Sequence, residues 1–265
     1  MGHVTLEGVR VAAGGRTLLD DINLDALPGE LVAIVGSNGA GKTTLLRAIA
    51  GFIAPTAGRI AIDGIALAAM SARQRARAVT LIASDAEVPF GTTVREAIAM
   101  GRFAYRSWWD WAAEDDGGAI DAAIERVALG GFEKRPFETL SSGERQRAWL
   151  ALALAQDARL VLLDEPTSHL DPRVALEVSC VMRGIATGNT TAFIVTHDLN
   201  EAAAVADRIA VLGEGGLLVC APPDDALDPH ILERAYGIAF DRVMVDGFAR
   251  VIPRGFRGSR ALTET

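Results

Sequence analysis

Apolar and polar positions in the first third of the chain follow the pattern of short β-strands separated by Gly and Pro turns. Strands are predicted over residues 4–11, 22–24, 31–35, 59–62 and 79–82. The run 31–35 is continuously apolar, and a helical pattern over 42–50 follows it. This order predicts an α/β core that carries an antiparallel β annex.

Helical periodicity dominates from residue 85 to residue 155, after which the α/β pattern resumes. Helices are predicted over 93–100, 119–128, 144–155, 174–186 and 199–205, and strands over 160–163, 191–195 and 209–212. Asp246 and Gly247 between two alternating runs predict a short hairpin. We therefore expect a core made of 1–84 and 156–220, an inserted helical subdomain over 85–155, and a C-terminal extension over 221–265 that ends in a loose tail.

Composition and charge narrow the class of protein. The chain has 265 residues, 50% of them apolar, and a net charge of −8, which disfavours extensive contact with nucleic acid. No apolar run reaches the roughly 18 residues that span a bilayer, and no secretory signal is expected. Cys180 and Cys220 lack metal-ligand spacing, so reduced thiols are expected, with Cys180 buried. Trp108, Trp109 and Trp111 are expected in an aromatic core or at a partner-facing surface.

The segment GSNGAGKTT carries the clearest chemical signal, because it matches the GxxxxGK[ST] pattern of a phosphate-binding loop. Its residues are Gly36, Ser37, Asn38, Gly39, Ala40, Gly41, Lys42, Thr43 and Thr44. Gly39 and Gly41 let backbone N–H groups turn inward, and the following helix adds its positive N-terminal end. Lys42 is expected to bind the β- and γ-phosphates of a nucleotide, and Thr43 to ligate Mg²⁺.

Two acidic residues follow the apolar run 160–163. Asp164 and Glu165 lie at the carboxyl end of this predicted strand, where open α/β sheets bind ligands. Beside a phosphate-binding loop, Asp164 suits the coordination of Mg²⁺, and Glu165 suits a general base that polarises the attacking water. On its own, such a run is more often an ordinary exit from a strand. Its pairing with the phosphate-binding loop favours the functional interpretation.

The octet LSSGERQR, residues 140–147, places a Ser-Gly turn at the start of a predicted helix. Backbone N–H groups at such a helix start form an anion site. The candidate residues are Ser141, Ser142, Gly143 and Glu144. For the octet alone, a plain helix cap is the better interpretation.

Five motifs together resemble the ATP-binding-cassette ATPases in order and spacing, over residues 4–236. They are GSNGAGKTT, LSSGERQR, LVLLDEP, SHLD at 168–171 and His197 after the run 191–195. The resemblance implies a P-loop NTPase fold and a dimer that holds two ATP molecules between its subunits. Residues 36–44 of one copy and 141–144 of the other would hold the same triphosphate. His197 would contact the γ-phosphate, and Asp171 would link the two sites across the interface.

Three further segments resemble the ATPase subunits of importers for ferric siderophores, haem and cobalamin. They are TVREAIAMGR, QRAWLALALAQ and HDLNEAAAVADR. Such subunits dock on a membrane permease that a substrate-binding protein feeds, so the resemblance implies a peripheral protein on the cytoplasmic side of the cell membrane. Importers for zinc, manganese and other small solutes share much of this pattern. No nucleic-acid partner is expected.

Two positions depart from the family pattern. Ala13 stands where the family carries an aromatic residue that stacks on adenine, which predicts about 5- to 150-fold weaker nucleotide binding. Arg10 or Arg16 could stack on the base instead, but a solvated surface role is the better interpretation for each.

Ser84 stands where the family carries a glutamine that touches Mg²⁺ and water, and its shorter side chain would reach the ion only through a water. Asp85 could substitute if the loop shifts by one residue. Slower or less tightly coupled hydrolysis is predicted. Ser142 and His169 are smaller departures, and His169 is assigned no catalytic role.

Two other functions stay open at this point. Ala13 and Ser84 are consistent with a regulatory module that dimerises on ATP and turns over little. Glu165 and His197 favour an active ATPase instead, because a regulatory module that does not hydrolyse ATP needs neither a general base nor a γ-phosphate contact. A soluble cassette ATPase of translation or DNA repair usually has two cassettes or a long coiled-coil insert, and the sequence contains neither.

Overall fold

The structure is a computed structural model that describes residues 2–105, 116–245 and 247–255. The tryptophans at 108, 109 and 111 therefore lie outside the described residues, as do the turn residue Asp246 and most of the expected C-terminal tail. Within the described ranges, no helix has both the length and the apolar character that crossing a bilayer requires.

Strands and helices alternate along most of the described chain. The strands are β1 (Val4–Ala13), β2 (Arg16–Ala26), β3 (Leu31–Gly36), β4 (Ala57–Ile62), β5 (Ile65–Ala66), β6 (Val79–Ile82), β7 (Leu160–Asp164), β8 (Thr191–Val195), β9 (Arg208–Gly213), β10 (Gly216–Ala221), β11 (Phe240–Val245) and β12 (Phe248–Pro253). The helices are α1 (Lys42–Ile49), α2 (Ala72–Ala78), α3 (Val94–Ala99), α4 (Asp116–Arg126), α5 (Ser142–Gln156), α6 (Pro172–Ile185), α7 (Leu199–Val205), α8 (Pro223–Ala226) and α9 (Pro229–Tyr236).

The main sheet has six strands in the order β10-β9-β3-β8-β7-β6. Its pairs are parallel except for β10, which runs antiparallel to β9. Strands β3, β7 and β8 are buried along their whole length, as expected for central strands that helices cover on both faces. Because neighbouring strands are parallel, the carboxyl ends of β3, β7 and β8 meet at one edge of the sheet.

A second sheet, in the order β2-β1-β4-β5, is antiparallel and forms the predicted annex. The two faces of the main sheet belong to different apolar cores. Val32 and Ile34 point towards the annex and α1, whereas Leu31, Ala33 and Val35 join the core that includes α3, α5 and α6. The α/β architecture with an antiparallel annex is therefore confirmed.

In the described part of the chain, the α-helices α3, α4 and α5 lie between β6 and β7. Helix α5 packs against α3, α4 and α6, and its buried Trp149 contacts Phe137 with a ring-centroid distance of 5.0 Å. This segment carries the LSSGERQR octet at the start of α5.

Several elements differ from the sequence-based expectation. The sequence analysis did not predict strand β10, which is half-exposed along its length, or helices α2 and α9. The expectation of a buried Cys180 is wrong: its side chain is exposed, because α6 turns Val178 and Met182 towards the core. The predicted hairpin is present as β11 and β12.

Candidate active site

The phosphate-binding loop joins β3 to α1, and its glycines have conformations that other residues adopt poorly. Gly36 has a φ of 150°, and a Cβ there would lie 2.5 Å from the carbonyl oxygen of Leu212 on β9. Gly39 and Gly41 have φ values of 83° and 94°. Gly41 caps α1, so the loop delivers the chain directly into the helix N-terminus.

Lys42 lies over the loop that it follows. Its Nζ donates hydrogen bonds to the carbonyl oxygens of Gly36, at 2.8 Å, and Ser37, at 3.0 Å. Burial lowers the pKa of Lys42, while the charges of Glu165 and Asp164 act in the opposite direction. The ammonium group is therefore held at the loop and close to two carboxylates.

Thr43 and Asp164 form a pair of oxygen donors behind the loop. The Thr43 hydroxyl donates to Oδ1 of Asp164 over 3.3 Å, although the two residues are 121 positions apart. Asp164 ends β7 and is buried, which raises its pKa, and the hydrogen bond from Thr43 opposes this rise. Mg²⁺ prefers oxygen ligands and usually takes only one or two carboxylates in addition to phosphates, so this pair fits the ion.

Glu165 and His197 meet at the carboxyl ends of two neighbouring strands. Glu165 follows β7, His197 follows β8 by two residues, and Oε1 of Glu165 lies 2.5 Å from Nε2 of His197. The register pairs Asp164 with Val195, and the Glu165 N–H donates to the Val195 carbonyl oxygen over 3.0 Å. The pairing of the strands therefore sets this contact.

One cleft of about 270 Å³ brings the loop, the base candidate and the histidine together. It is lined by Leu18, Asn38, Gly39, Gly41, Lys42, Thr43, Thr44, Glu165 and His197. Leu18 was not predicted. The sequence feature that could have identified it is the consecutive pair Leu18 and Leu19 in β2. Neighbouring residues of a strand face opposite sides, so only Leu19 can face the core.

The LSSGERQR residues do not line this cleft. The Ser141 hydroxyl accepts the Glu144 N–H over 3.3 Å, and Oε2 of Glu144 accepts the Ser141 N–H over 2.8 Å, which closes a capping box at the start of α5. The bond from the Ser141 N–H lowers the pKa of Glu144. Gly143 is buried where a Cβ would lie 2.3 Å from Val174, while Ser141 and Ser142 are exposed.

Asp171 also lies outside the cleft, at the start of α6. Its Oδ1 accepts the N–H groups of Arg173, at 3.1 Å, and Val174, at 3.2 Å, so its carboxylate caps the helix. The side chain is exposed. Within one copy of the chain, Asp171 therefore caps α6 and lies at the molecular surface.

The two departures from the family pattern occupy exposed positions. Ser84 lies two residues beyond Ile82, which pairs with Leu163, and it does not line the cleft. The charge of its neighbour Asp85 contributes to the raised pKa of Asp164. Ala13 lies at the end of β1, opposite Arg16.

Of the two arginines that could replace the adenine contact, Arg10 is engaged elsewhere. Its Nε donates to Oδ1 of Asp20 over 2.6 Å on the exposed face of the annex. Arg16 is exposed and lies beside the Gly14–Gly15 turn of the β1–β2 hairpin.

Comparison with known proteins places this site in one family. The model of the ABC transporter family matches residues 19–168, which is more than half of the chain. A hemin import ATP-binding protein of Gloeobacter violaceus is 40% identical over 238 residues, covering 87% of this chain and 86% of the relative. A petrobactin import ATP-binding protein of Bacillus anthracis is 34% identical over 224 residues, covering 84% of this chain and 82% of the relative.

The fold is shared with a metal-chelate type ABC transporter solved in an inward-facing conformation. The TM-score is 0.82 at 24% identity, and the match covers 94% of this chain and 96% of that one. The match to the family model and the two import ATP-binding relatives define the class of protein. The chain belongs to the ABC transporter family and is one of its ATP-binding, ATP-hydrolysing subunits.

Proposed function

We propose that this chain is the ATPase subunit of an importer for an iron chelate, haem or cobalamin. Support comes from relatives that are hemin and petrobactin import ATP-binding proteins and that match over most of both chains. In this proposal the chain docks on membrane permease subunits at the cytoplasmic side of the cell membrane, and a substrate-binding protein delivers the solute to the permease. Solute specificity then resides in the permease and the binding protein.

The observation that carries the hydrolytic proposal is the 2.5 Å contact between Glu165 and His197 at the cleft that holds Lys42. Glu165 takes the proton of the attacking water, since its carboxylate lies at the cleft and His197 fixes its orientation. His197 also reaches the γ-phosphate. Lys42 exchanges its bonds to the loop carbonyl groups for the β- and γ-phosphate oxygens, which keeps a buried cation paired.

Thr43 and Asp164 would hold Mg²⁺, which neutralises charge on the β- and γ-phosphate oxygens when it is bound. Their placement beside the loop supports this assignment. Ser84 would contribute to this ion only through an intervening water, because its exposed side chain is short and does not line the cleft.

The second half of the site comes from another copy of the chain in this proposal. The start of α5 presents exposed Ser141 and Ser142 and the N–H groups of a helix N-terminus, and neither serine lines the cleft at the phosphate-binding loop. Two copies arranged head to tail would bring residues 141–144 of each onto the triphosphate of the other. Asp171 would then lie at the interface between the copies.

A regulatory module with little turnover is the alternative, and the exposed Ser84 and Ala13 are its support. The contact between Glu165 and His197 disfavours it, because a binding module gains nothing from a base that is held in place.

Transport is tested with the permease that co-purifies with the tagged chain, identified and reconstituted in vesicles. ATP-dependent uptake of hemin, a ferric siderophore or cobalamin is expected with the wild-type chain. Lys42→Ala should abolish uptake without preventing docking. Uptake of none of these three solutes, or equal uptake with Lys42→Ala, would contradict the proposal.

A further inference from the structure

Glu201 on α7 collects hydrogen bonds from three hydroxyl groups that belong to three different parts of the chain. The Thr196 hydroxyl donates to Oε2 over 2.7 Å, and the Thr167 hydroxyl donates to the same oxygen over 2.9 Å. The Ser179 hydroxyl on α6 donates to Oε1 over 3.1 Å. All three bonds are partly buried, so a single carboxylate joins the loop after β7, the end of β8 and α6.

Two of these hydroxyl groups lie next to the proposed hydrolytic residues. Thr167 follows Glu165 by two positions, and Thr196 directly precedes His197. Because both donate to the same carboxylate oxygen, Glu201 fixes the distance between the two loops that carry the base and the histidine. It does so without lining the ATP cleft itself.

The loop after β7 needs such support, because its backbone is unfavourable at both ends. Glu165 has a φ of 53° and His169 a φ of 63°, which are left-handed conformations for residues other than glycine. Such a conformation is strained for these residue types and persists only where the surroundings hold it. Thr167 lies between the two, so its bond to Glu201 acts in the middle of the strained segment.

The loop that carries His197 is held by hydrogen bonds to its neighbours in the chain. The Thr196 hydroxyl accepts the Asp198 N–H over 3.2 Å while it donates to Glu201. Asp198 in turn caps α7 by accepting the N–H groups of Asn200 and Glu201. The backbone around His197 is therefore fixed to the first turn of α7, and the Glu201 carboxylate extends this fixed unit to the loop of Glu165.

We propose that Glu201 is a positioning residue for ATP hydrolysis, which holds Thr167 and Thr196 so that Glu165 and His197 stay in contact. The inference rests on the roles proposed for Glu165 and His197. Glu201 touches neither ATP nor the attacking water. Its loss should therefore change the rate of the chemical step and leave the affinity for ATP nearly unchanged.

The main test compares Glu201→Ala with Glu201→Gln in phosphate-release assays on the full chain. Displacement of a catalytic group by about 1 Å costs up to about 100-fold, so Glu201→Ala should lower kcat by about 10- to 100-fold with little change in KM for ATP. Glu201→Gln should keep kcat within about 3-fold of wild type, because its amide oxygen still accepts both threonine hydroxyls and its NH₂ group meets Ser179. Equal kcat values for wild type and Glu201→Ala, or equally low values for the two variants, would overturn the proposal.

Ser179→Ala provides the matched control, because it removes one bond to the same carboxylate and leaves the connection between the loops intact. Its kcat should equal that of wild type, whereas Thr167→Val should lower kcat even if Glu201→Ala folds poorly. The double variant Glu201→Ala with Thr167→Val should be no slower than Glu201→Ala alone. A Ser179→Ala variant as slow as Glu201→Ala would indicate a purely structural role and overturn the proposal.

Glu165→Gln separates this inference from the proposed function on which it rests. If Glu165→Gln retains turnover, the role of Glu165 as the base is wrong. If Glu165→Gln loses turnover while Glu201→Ala keeps it, only the positioning role of Glu201 is wrong.

Discussion

At the scale of single residues, Ser84 stands where the sequence comparison leads us to expect a glutamine, and it lies outside the cleft. Its side chain is exposed at the end of β6, two residues beyond the strand pair Ile82 and Leu163. An amide side chain would extend roughly 2.5 Å further than this hydroxyl, given C–C bonds of about 1.5 Å.

Ser84→Gln is therefore expected to raise ATP turnover. The gain should be about 5-fold, which corresponds to one net hydrogen bond of about 1 kcal/mol. Phosphate release at saturating ATP measures this gain in turnover. Ser84→Ala, which does not lengthen the side chain, serves as the control. An unchanged rate and unchanged transport in Ser84→Gln would show that the serine does not limit hydrolysis.

Tyr236 is a buried phenol near the start of the phosphate-binding loop. It packs on Phe240 with a centroid distance of 5.6 Å, and burial raises its pKa to about 12, while the Gly36 N–H opposes the rise. An exposed tyrosine in the unfolded chain ionises near pH 10. Between these values the folded chain keeps the proton that the unfolded chain has lost, so the free energy of unfolding falls as the pH rises.

The wild type should therefore lose about 1.4 kcal/mol more stability than Tyr236→Phe between about pH 9 and about pH 11. Urea unfolding followed by circular dichroism at the two pH values measures this difference. The other groups that titrate in this range, including two lysines and two cysteines, are the same in both proteins, so the difference isolates Tyr236. Identical losses in the two proteins would contradict burial of the phenol.

At the scale of elements, strong local patterns made the central strands predictable. The predicted runs 79–82 and 191–195 coincide with β6 and β8, because each run is largely apolar and mostly or wholly buried. Strand β10 was not predicted, although its run GLLVCA is almost continuously apolar, and all its residues are half-buried in the structure. The register shift that β-bulges introduce into β1 has no comparable sequence signal.

Contacts between distant elements were the least predictable part of the site. The motifs identified Lys42, Asp164, Glu165 and His197, but neither the bond from Thr43 to Asp164 nor the three bonds to Glu201 follow from sequence spacing. Such contacts depend on strand order and register, which a single sequence specifies only through the complete fold.

Ser141 gives an element-scale prediction, because its side chain caps α5. Ser141→Ala should lower the free energy of unfolding by about 1 kcal/mol, the typical value of an N-cap hydroxyl. Ser142→Ala is the matched control: Ser142 is exposed one position further along, so its loss should have little effect. Urea unfolding of both variants checks this, and equal stability of the two would contradict the capping box.

At the scale of the whole molecule, the parallel sheet gathers the catalytic candidates at one edge, while Ser141 and Asp171 face outwards. The proposed dimer would complete the site. Glu165→Gln should therefore bind ATP without consuming it and accumulate as a dimer, as measured by light scattering with ATP and Mg²⁺. Lys42→Ala should stay monomeric under the same conditions. A Glu165→Gln chain that remains monomeric at saturating ATP would contradict the two-copy site.

The most direct measurement is steady-state phosphate release by the wild type and by Glu165→Gln, with ATP binding measured on the same preparations. Glutamine preserves the size of the side chain and removes the base, so hydrolysis should fall by about 100-fold or more while ATP affinity stays within about 3-fold. This result would establish Glu165, held by His197, as the base of the ATPase. Equal rates of phosphate release in the two proteins would contradict that role.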